Sequence, residues 1–182
     1  MSQNNYNMQI VASLLKTQSH IRQLARDLKT NKTTIARKIQ ELYQENIVDF
    51  KKEGKNKAFF IKKTIEAKQY AYLVEANKLI ETIKNYPVLR NCLENIKKNE
   101  KVQLAILFGS YAKNLATKES DIDIYIDTNQ HTLKEEIENL YTKINVKIGK
   151  YNKDSLLIKE IEKNHVIIKG IERFYEKNKF FN

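Results

Sequence analysis

Apolar residues recur at helical spacing at Ile21, Leu24, Ala25 and Leu28, and again at Ile35, Ile39 and Leu42 after the polar break Lys29-Thr30-Asn31-Lys32. The break is short enough for a helix-turn-helix, and Asn31 is placed to cap the second helix. Two short runs, residues 48–52 and 57–61, flank Glu53-Gly54-Lys55-Asn56 and predict a β-hairpin, with Gly54 supplying the turn conformation. Residues 64–85 lack Gly and Pro and predict a connecting helix with an apolar stripe of Leu73, Ala76, Ile80 and Ile83, Tyr70 and Tyr72 alongside. Pro87, the only proline, predicts the start of another helix over 88–98, in which Cys92 packs with Val88 and Ile96. The period then changes. Residues 102–108 form an apolar run interrupted at Gln103, and 122–126 and 144–148 alternate, as strands do on either side of a predicted helix over 131–143. Residues 154–175 predict one or two helices closing a small sheet, with His165 read as a cap or surface residue and 177–182 as a loose tail whose Phe180 and Phe181 could dock on a partner.

Charge adds direction to the first of these patterns. The chain carries a formal +11, and residues 1–65 hold 13 basic and 5 acidic residues, a net +8 that leaves +3 for the remainder. A lysine-rich composition alone would spread the excess along the chain; concentration at one end is what a phosphate-binding surface requires. A helix-turn-helix followed by a basic hairpin resembles a winged-helix DNA-binding domain, over residues 21–61. The resemblance implies a double-stranded DNA partner. It places Lys32, Thr33, Arg37 and Lys38 on the recognition helix, with Gln40 and Gln44 on the same polar face, and Lys52 and Lys55 on the wing. With no apolar run near eighteen residues, no signal-peptide core and one cysteine, the chain is expected in the cytoplasm and not in a membrane.

The chemistry is concentrated between two of the predicted strands. Gly109-Ser110 ends the first, a short polar helix is expected to cross over, and Asp121-Ile122-Asp123 opens the second. Alternation along a strand points Asp121 and Asp123 to one face, where two carboxylates can hold a hard cation. Gly109 lets the backbone approach a phosphate closely, and the peptide N–H groups that follow favour an anion.

Gly-Ser, about ten residues and Asp-x-Asp resemble the nucleotidyltransferase superfamily of the DNA polymerase beta type, and its minimal members in particular. The resemblance implies that Gly109 and Ser110 contact a triphosphate and that Asp121 and Asp123 bind magnesium together with ATP or GTP and, in an active enzyme, serve catalysis. Relatives carry a third carboxylate on the neighbouring strand, residues 144–148 here, where alternation leaves Asn145 and Lys147 facing the acid pair. Aligned with the relatives, Lys147 fills the acidic position, and an ammonium cannot ligate magnesium.

The expected fold is therefore α+β: a winged helix-turn-helix over residues 1–64, connecting helices over 65–99 and a small mixed-sheet nucleotidyltransferase-like domain over 100–182. The expected function is a DNA-binding transcriptional regulator, a homodimer through its connector, whose C-terminal domain binds nucleotide. The alternatives are an active nucleotidyltransferase acting on protein, RNA or a small molecule, and an antitoxin-type protein partner of a HEPN ribonuclease.

Overall fold

In the computed structural model, which describes residues 6–182, the first helix is one that the apolar spacing does not single out. Helix α1, Tyr6–Leu14, buries Ile10, Val11 and Leu14. Helix α2, Ile21–Asp27, buries Leu24 and Ala25. It ends where Lys29 turns left-handed and Thr30 N–H reaches back to the Ala25 carbonyl at 2.9 Å. Helix α3, Lys32–Gln44, opens on Asn31, whose side chain accepts from Thr34 N–H at 2.7 Å, as expected from sequence. It closes through a left-handed Asn46 and an Ile47 N–H bond to Leu42 O at 2.9 Å. The hairpin follows: β1, Val48–Glu53, pairs antiparallel with β2, Asn56–Ile61, around Gly54-Lys55, with Gly54 at φ +59°. Ser19 extends this small sheet by bonding both ways with Phe59, at 3.0 and 2.8 Å. Val48, Ala58, Phe59 and Ile61 join Leu24, Ile35, Ile39 and Leu42 among the buried residues.

Helix α4, Ile65–Asn85, buries Ala67, Ala71 and Val74 in its first half and Glu75, Leu79 and Thr82 in its second. Of the predicted stripe, Ile83 is half-buried, whereas Leu73 and Ile80 stand 54 % and 61 % exposed. By contacts the chain divides within α4: the described residues to Val74 with Phe181–Asn182 form one unit, and Glu75–Phe180 the other.

In the second unit a single 3₁₀ turn, Pro87–Leu89, leads into α5, Arg90–Lys98, which buries Cys92, Leu93 and Ile96. Burial pushes the Cys92 thiol up to about 11, so it is an inert packing group. Then come β3, Ala105–Leu107; α6, Gly109–Ala112; β4, Ile122–Asp127; α7, His131–Glu138; β5, Ile144–Gly149; α8, Leu156–Lys163; β6, Val166–Lys169; and α9, Ile171–Asn178. The sheet order is β5-β4-β3-β6, with β4 and β5 parallel and the other pairs antiparallel. Alternation sends Ala105, Leu107, Ile122, Ile124, Ile126, Val146, Val166 and Ile168 into one core with α5 and α7 residues. Asp123, Tyr125, Asn145 and Lys147 lie on the opposite side of their strands.

Three expectations change. The crossing helix is one four-residue turn, α6, and the rest of the crossing is loop. The run Val166-Ile167-Ile168 is a strand rather than helix, and His165 precedes it; its Nδ1 lies 3.0 Å from Ile161 O and its ring packs on Phe174. The predicted tail is largely ordered: α9 reaches Asn178, Lys177 pairs with Asp127 at 2.7 Å, and Phe180 packs on Tyr175.

Candidate functional site

Strand β3 ends at Phe108, whose N–H bonds to Asp123 O at 2.9 Å, and the chain turns at once through Gly109 at φ +69°. A Cβ built on Gly109 would collide with the Asp123 carboxylate. The glycine is thus required twice, by its backbone angle and by the acid packed against it. Ser110 follows, half-buried, and its carbonyl accepts from Leu115 N–H at 2.9 Å. Ser120, directly before the first acid, shapes the loop: its hydroxyl accepts from Thr117 N–H at 2.9 Å and closes the turn that delivers Asp121 to the start of β4.

Asp121 is exposed and Asp123 half-buried. Burial pushes the Asp123 carboxyl up, and the Asp121 charge adds to this, while Asn145 and Lys147 oppose it. Direct support comes from β5, where Asn145 stands in register with Asp123 and its Nδ2 donates to Asp123 Oδ1 at 3.0 Å. Lys147 stands two pairs further on, opposite Tyr125, and is exposed. The residue directly across from Asp123 is therefore Asn145, and Lys147, aligned from sequence with the relatives' third acid, lies further along the same face. A carboxamide carries an oxygen donor and no charge, so it can support a cation site but cannot act as a base at neutral pH.

The next acid along β4 is committed elsewhere. Asp127, at the end of β4, accepts from Tyr151 N–H at 2.9 Å and pairs with Lys177. Among the described residues no cluster of three or more His, Cys, Asp or Glu side chains is arranged to hold a metal. Two carboxylates and an amide are nonetheless hard oxygen donors that suit magnesium.

The first unit carries a different surface. Lys32, Thr33, Arg37, Gln40 and Gln44 are exposed on α3, opposite Ile35, Ile39 and Leu42. Lys38 is not on that face: it is half-buried, with its ammonium 2.6 Å from Glu41 Oε2. Lys52 and Lys55 are exposed on the hairpin, and Lys52 stands directly across from Lys57. Like charges opposite one another weaken a hairpin, and Lys57 is partly accommodated over the Phe50 ring at 3.9 Å. A cleft of about 480 Å³ between α2, the start of α3 and the hairpin is lined by Arg22, Arg26, Lys32, Lys55 and Lys57 among others. Arg22 and Arg26 are not singled out by the sequence patterns above. Their i, i+4 spacing on the side of α2 away from Leu24 and Ala25 is the signal that marks them.

Residues 90–178 match the family model described as "Polymerase beta, Nucleotidyltransferase". A "Putative protein adenylyltransferase" of Methanocaldococcus jannaschii is 45 % identical over 69 residues, which are 37 % of this chain and 55 % of that relative's length. The chain thus spans about half the length of the curated relative it matches. Among solved structures, the transcriptional repressor BigR from Xylella fastidiosa is similar at 14 % identity and TM-score 0.36, covering 39 % of this chain and 70 % of that one. The adhesin competence repressor AdcR from Streptococcus pyogenes is similar at 19 % identity and TM-score 0.40, covering 50 % and 68 % respectively. Residues 90–178 carry a nucleotidyltransferase domain of the polymerase beta type. The preceding helix-turn-helix and hairpin have the order and geometry of a winged helix. No helix among the described residues is long and apolar enough to cross a membrane.

Proposed function

We propose that this protein is a DNA-binding regulator whose C-terminal unit binds a magnesium–nucleoside triphosphate and transfers the nucleotide slowly or not at all. The observation that carries this reading is the Asn145 Nδ2 to Asp123 Oδ1 hydrogen bond of 3.0 Å, which puts a neutral amide across from the acid pair. Asp121 and Asp123 would hold the cation, and Gly109 and Ser110 would face the phosphates. Bound there, a divalent cation would screen the triphosphate and polarise the phosphoryl group under attack. What the chain itself lacks is a group on β5 to take the proton of an attacking hydroxyl. The first unit would supply location, with Arg37, Gln40 and Gln44 toward base edges and the cationic cleft and hairpin toward phosphates.

Binding of ATP and GTP with magnesium, measured by calorimetry, tests the nucleotide site; Asp121→Asn/Asp123→Asn should abolish it. Labelled-nucleotide transfer tests the chemistry: the wild-type chain should show little, and Asn145→Asp should raise it. A second reading, nucleotide transfer onto a protein, draws support from the name of the Methanocaldococcus relative. Robust wild-type transfer that is lost on Asp121→Asn would select it over the first.

A further inference from the structure

Strand β5 lies parallel beside β4, so Asn145 and Lys147 share one face of the sheet with Asp123 and Tyr125. The Asn145 amide is taken up by the Asp123 carboxylate. Lys147, two residues on and exposed, carries no ion pair and no side-chain hydrogen bond among the described residues. Other lysines of this unit are committed: Lys113, on the turn after Ser110, is held by Glu160 at 2.7 Å, and Lys177 by Asp127 at 2.7 Å. The backbone beneath Lys147 is fixed. Its register partner Tyr125 is buried, and the Tyr125 hydroxyl donates to the Gly149 carbonyl at 2.8 Å, which ties the end of β5 to β4.

The free ammonium acts on the acid pair without touching it. Burial chiefly raises the Asp123 carboxyl, and the Lys147 charge is among the influences that pull it back. Asp121 and Asp123 themselves have no ion-pair partner among the described residues. A divalent cation held by these two carboxylates would be spent on their charge. A triphosphate brought to that cation carries more negative charge than the one ion offsets. Sites that meet the excess with a second metal need a further acid to hold it. On this face the next side chain is an ammonium, which brings positive charge and three N–H donors of its own.

We propose that Lys147 stands in for a second metal ion: with one magnesium on Asp121 and Asp123, its ammonium binds the phosphates of the nucleotide, and the site holds a triphosphate with a single cation. The inference rests on the proposed nucleotide site and gives that site a metal stoichiometry and a phosphate ligand. It also separates binding from turnover. An ammonium offsets charge on phosphate oxygens but cannot hold a metal beside an attacking hydroxyl, so the residue that completes binding leaves transfer slow.

The test uses the full chain, with ATP and inorganic tripolyphosphate as probes and manganese in place of magnesium, so that bound ions are counted by electron paramagnetic resonance. The wild-type complex with ATP should hold one manganese ion per chain. Lys147→Gln removes the charge and should weaken ATP and tripolyphosphate alike in calorimetry, by about tenfold or more, as loss of a charge-assisted hydrogen bond does. The variant should melt with the wild type, because Lys147 has no partner in the folded chain to leave behind. Two manganese ions in the wild-type complex would overturn the inference. So would weakening of ATP without tripolyphosphate, or affinities in Lys147→Gln within about twofold of wild type. If Asp121→Asn still abolishes binding in those cases, the proposed metal–nucleotide site stands without Lys147. Failure of the wild-type chain to bind either probe would overturn both readings together.

Discussion

Replacing Gly109 by alanine puts two separable costs on one position. At φ +69° an L side chain is strained by about 1–2 kcal/mol. The new methyl must also displace the Asp123 carboxylate and with it the bond from Asn145, and a hydrogen bond to a charged group is worth about 1.5–3 kcal/mol. The total is roughly 2.5–5 kcal/mol, a fall of roughly 10–20 °C in the melting temperature of a unit of this size. A double-mutant cycle separates the two costs. In an Asp123→Ala background the carboxylate is gone, so Gly109→Ala should cost only the backbone strain and the cycle should show a coupling of about 2 kcal/mol. Scanning calorimetry of the four full-length proteins measures this directly. A Gly109→Ala protein melting within about 3 °C of wild type, or losing the same stability in both backgrounds, would refute the packing of glycine against acid.

Four further outcomes follow from named contacts. Asp123 titrates high in the folded chain, so its favourable contribution is present below the ordinary carboxyl value of 3.8 and is lost as pH rises through the raised one. Asp123→Asn should accordingly stabilise the metal-free protein at pH 7, with the gain vanishing in acid melts. Glu75 runs the other way. Burial raises it, but His165 at 3.5 Å and Lys78 at 2.8 Å outweigh burial and hold it at about 2, so its contribution is present above 4.5 and lost as pH falls toward 2. Glu75→Gln should cost about 3–5 kcal/mol at neutral pH, by denaturant titration, and progressively less in acid. Arg37→Ala should lose about 1–3 kcal/mol of preference for a cognate DNA site, whereas Lys52→Ala/Lys55→Ala should weaken all sequences alike and flatten the salt dependence in gel shifts. The homodimer expected from the α4 stripe should fall to a monomer in sedimentation with Leu73→Glu/Ile80→Glu; a monomeric wild-type protein at micromolar concentration would remove that expectation.

The features legible in the sequence are those fixed by local chemistry. Asn31 caps α3 because its side chain needs only a backbone N–H three residues away, and Gly54 turns the hairpin because a two-residue loop demands its conformation. The approach of Gly109 to Asp123 is legible because a glycine at a strand end turns the chain beside an acid that alternation points away from the core. What could not be read locally was register. Whether Asn145 or Lys147 stands across from Asp123 is a shift of two residues along β5 that keeps the same face, and only the β4–β5 pairing decides it. Strand β6 was hidden because four residues carry too little period to separate strand from helix, although three successive β-branched residues favoured strand. The partners of Glu75, at Lys78, His165 and Tyr175, span up to 100 residues of chain and leave no mark in local spacing.

The facing pair Lys52 and Lys57 makes the wing hold a mild electrostatic load in the free protein. Dissolved ions lighten that load and firm the hairpin, yet the same ions compete with it for any polyanion. Folding and binding should then answer ionic strength with slopes of opposite sign. The hairpin is least comfortable in the dilute solutions where its grip is strongest, and a bound phosphate chain discharges it. A polyanion should therefore raise the melting temperature of the first unit most at low salt, by relaxing a repulsion as well as by adding contacts.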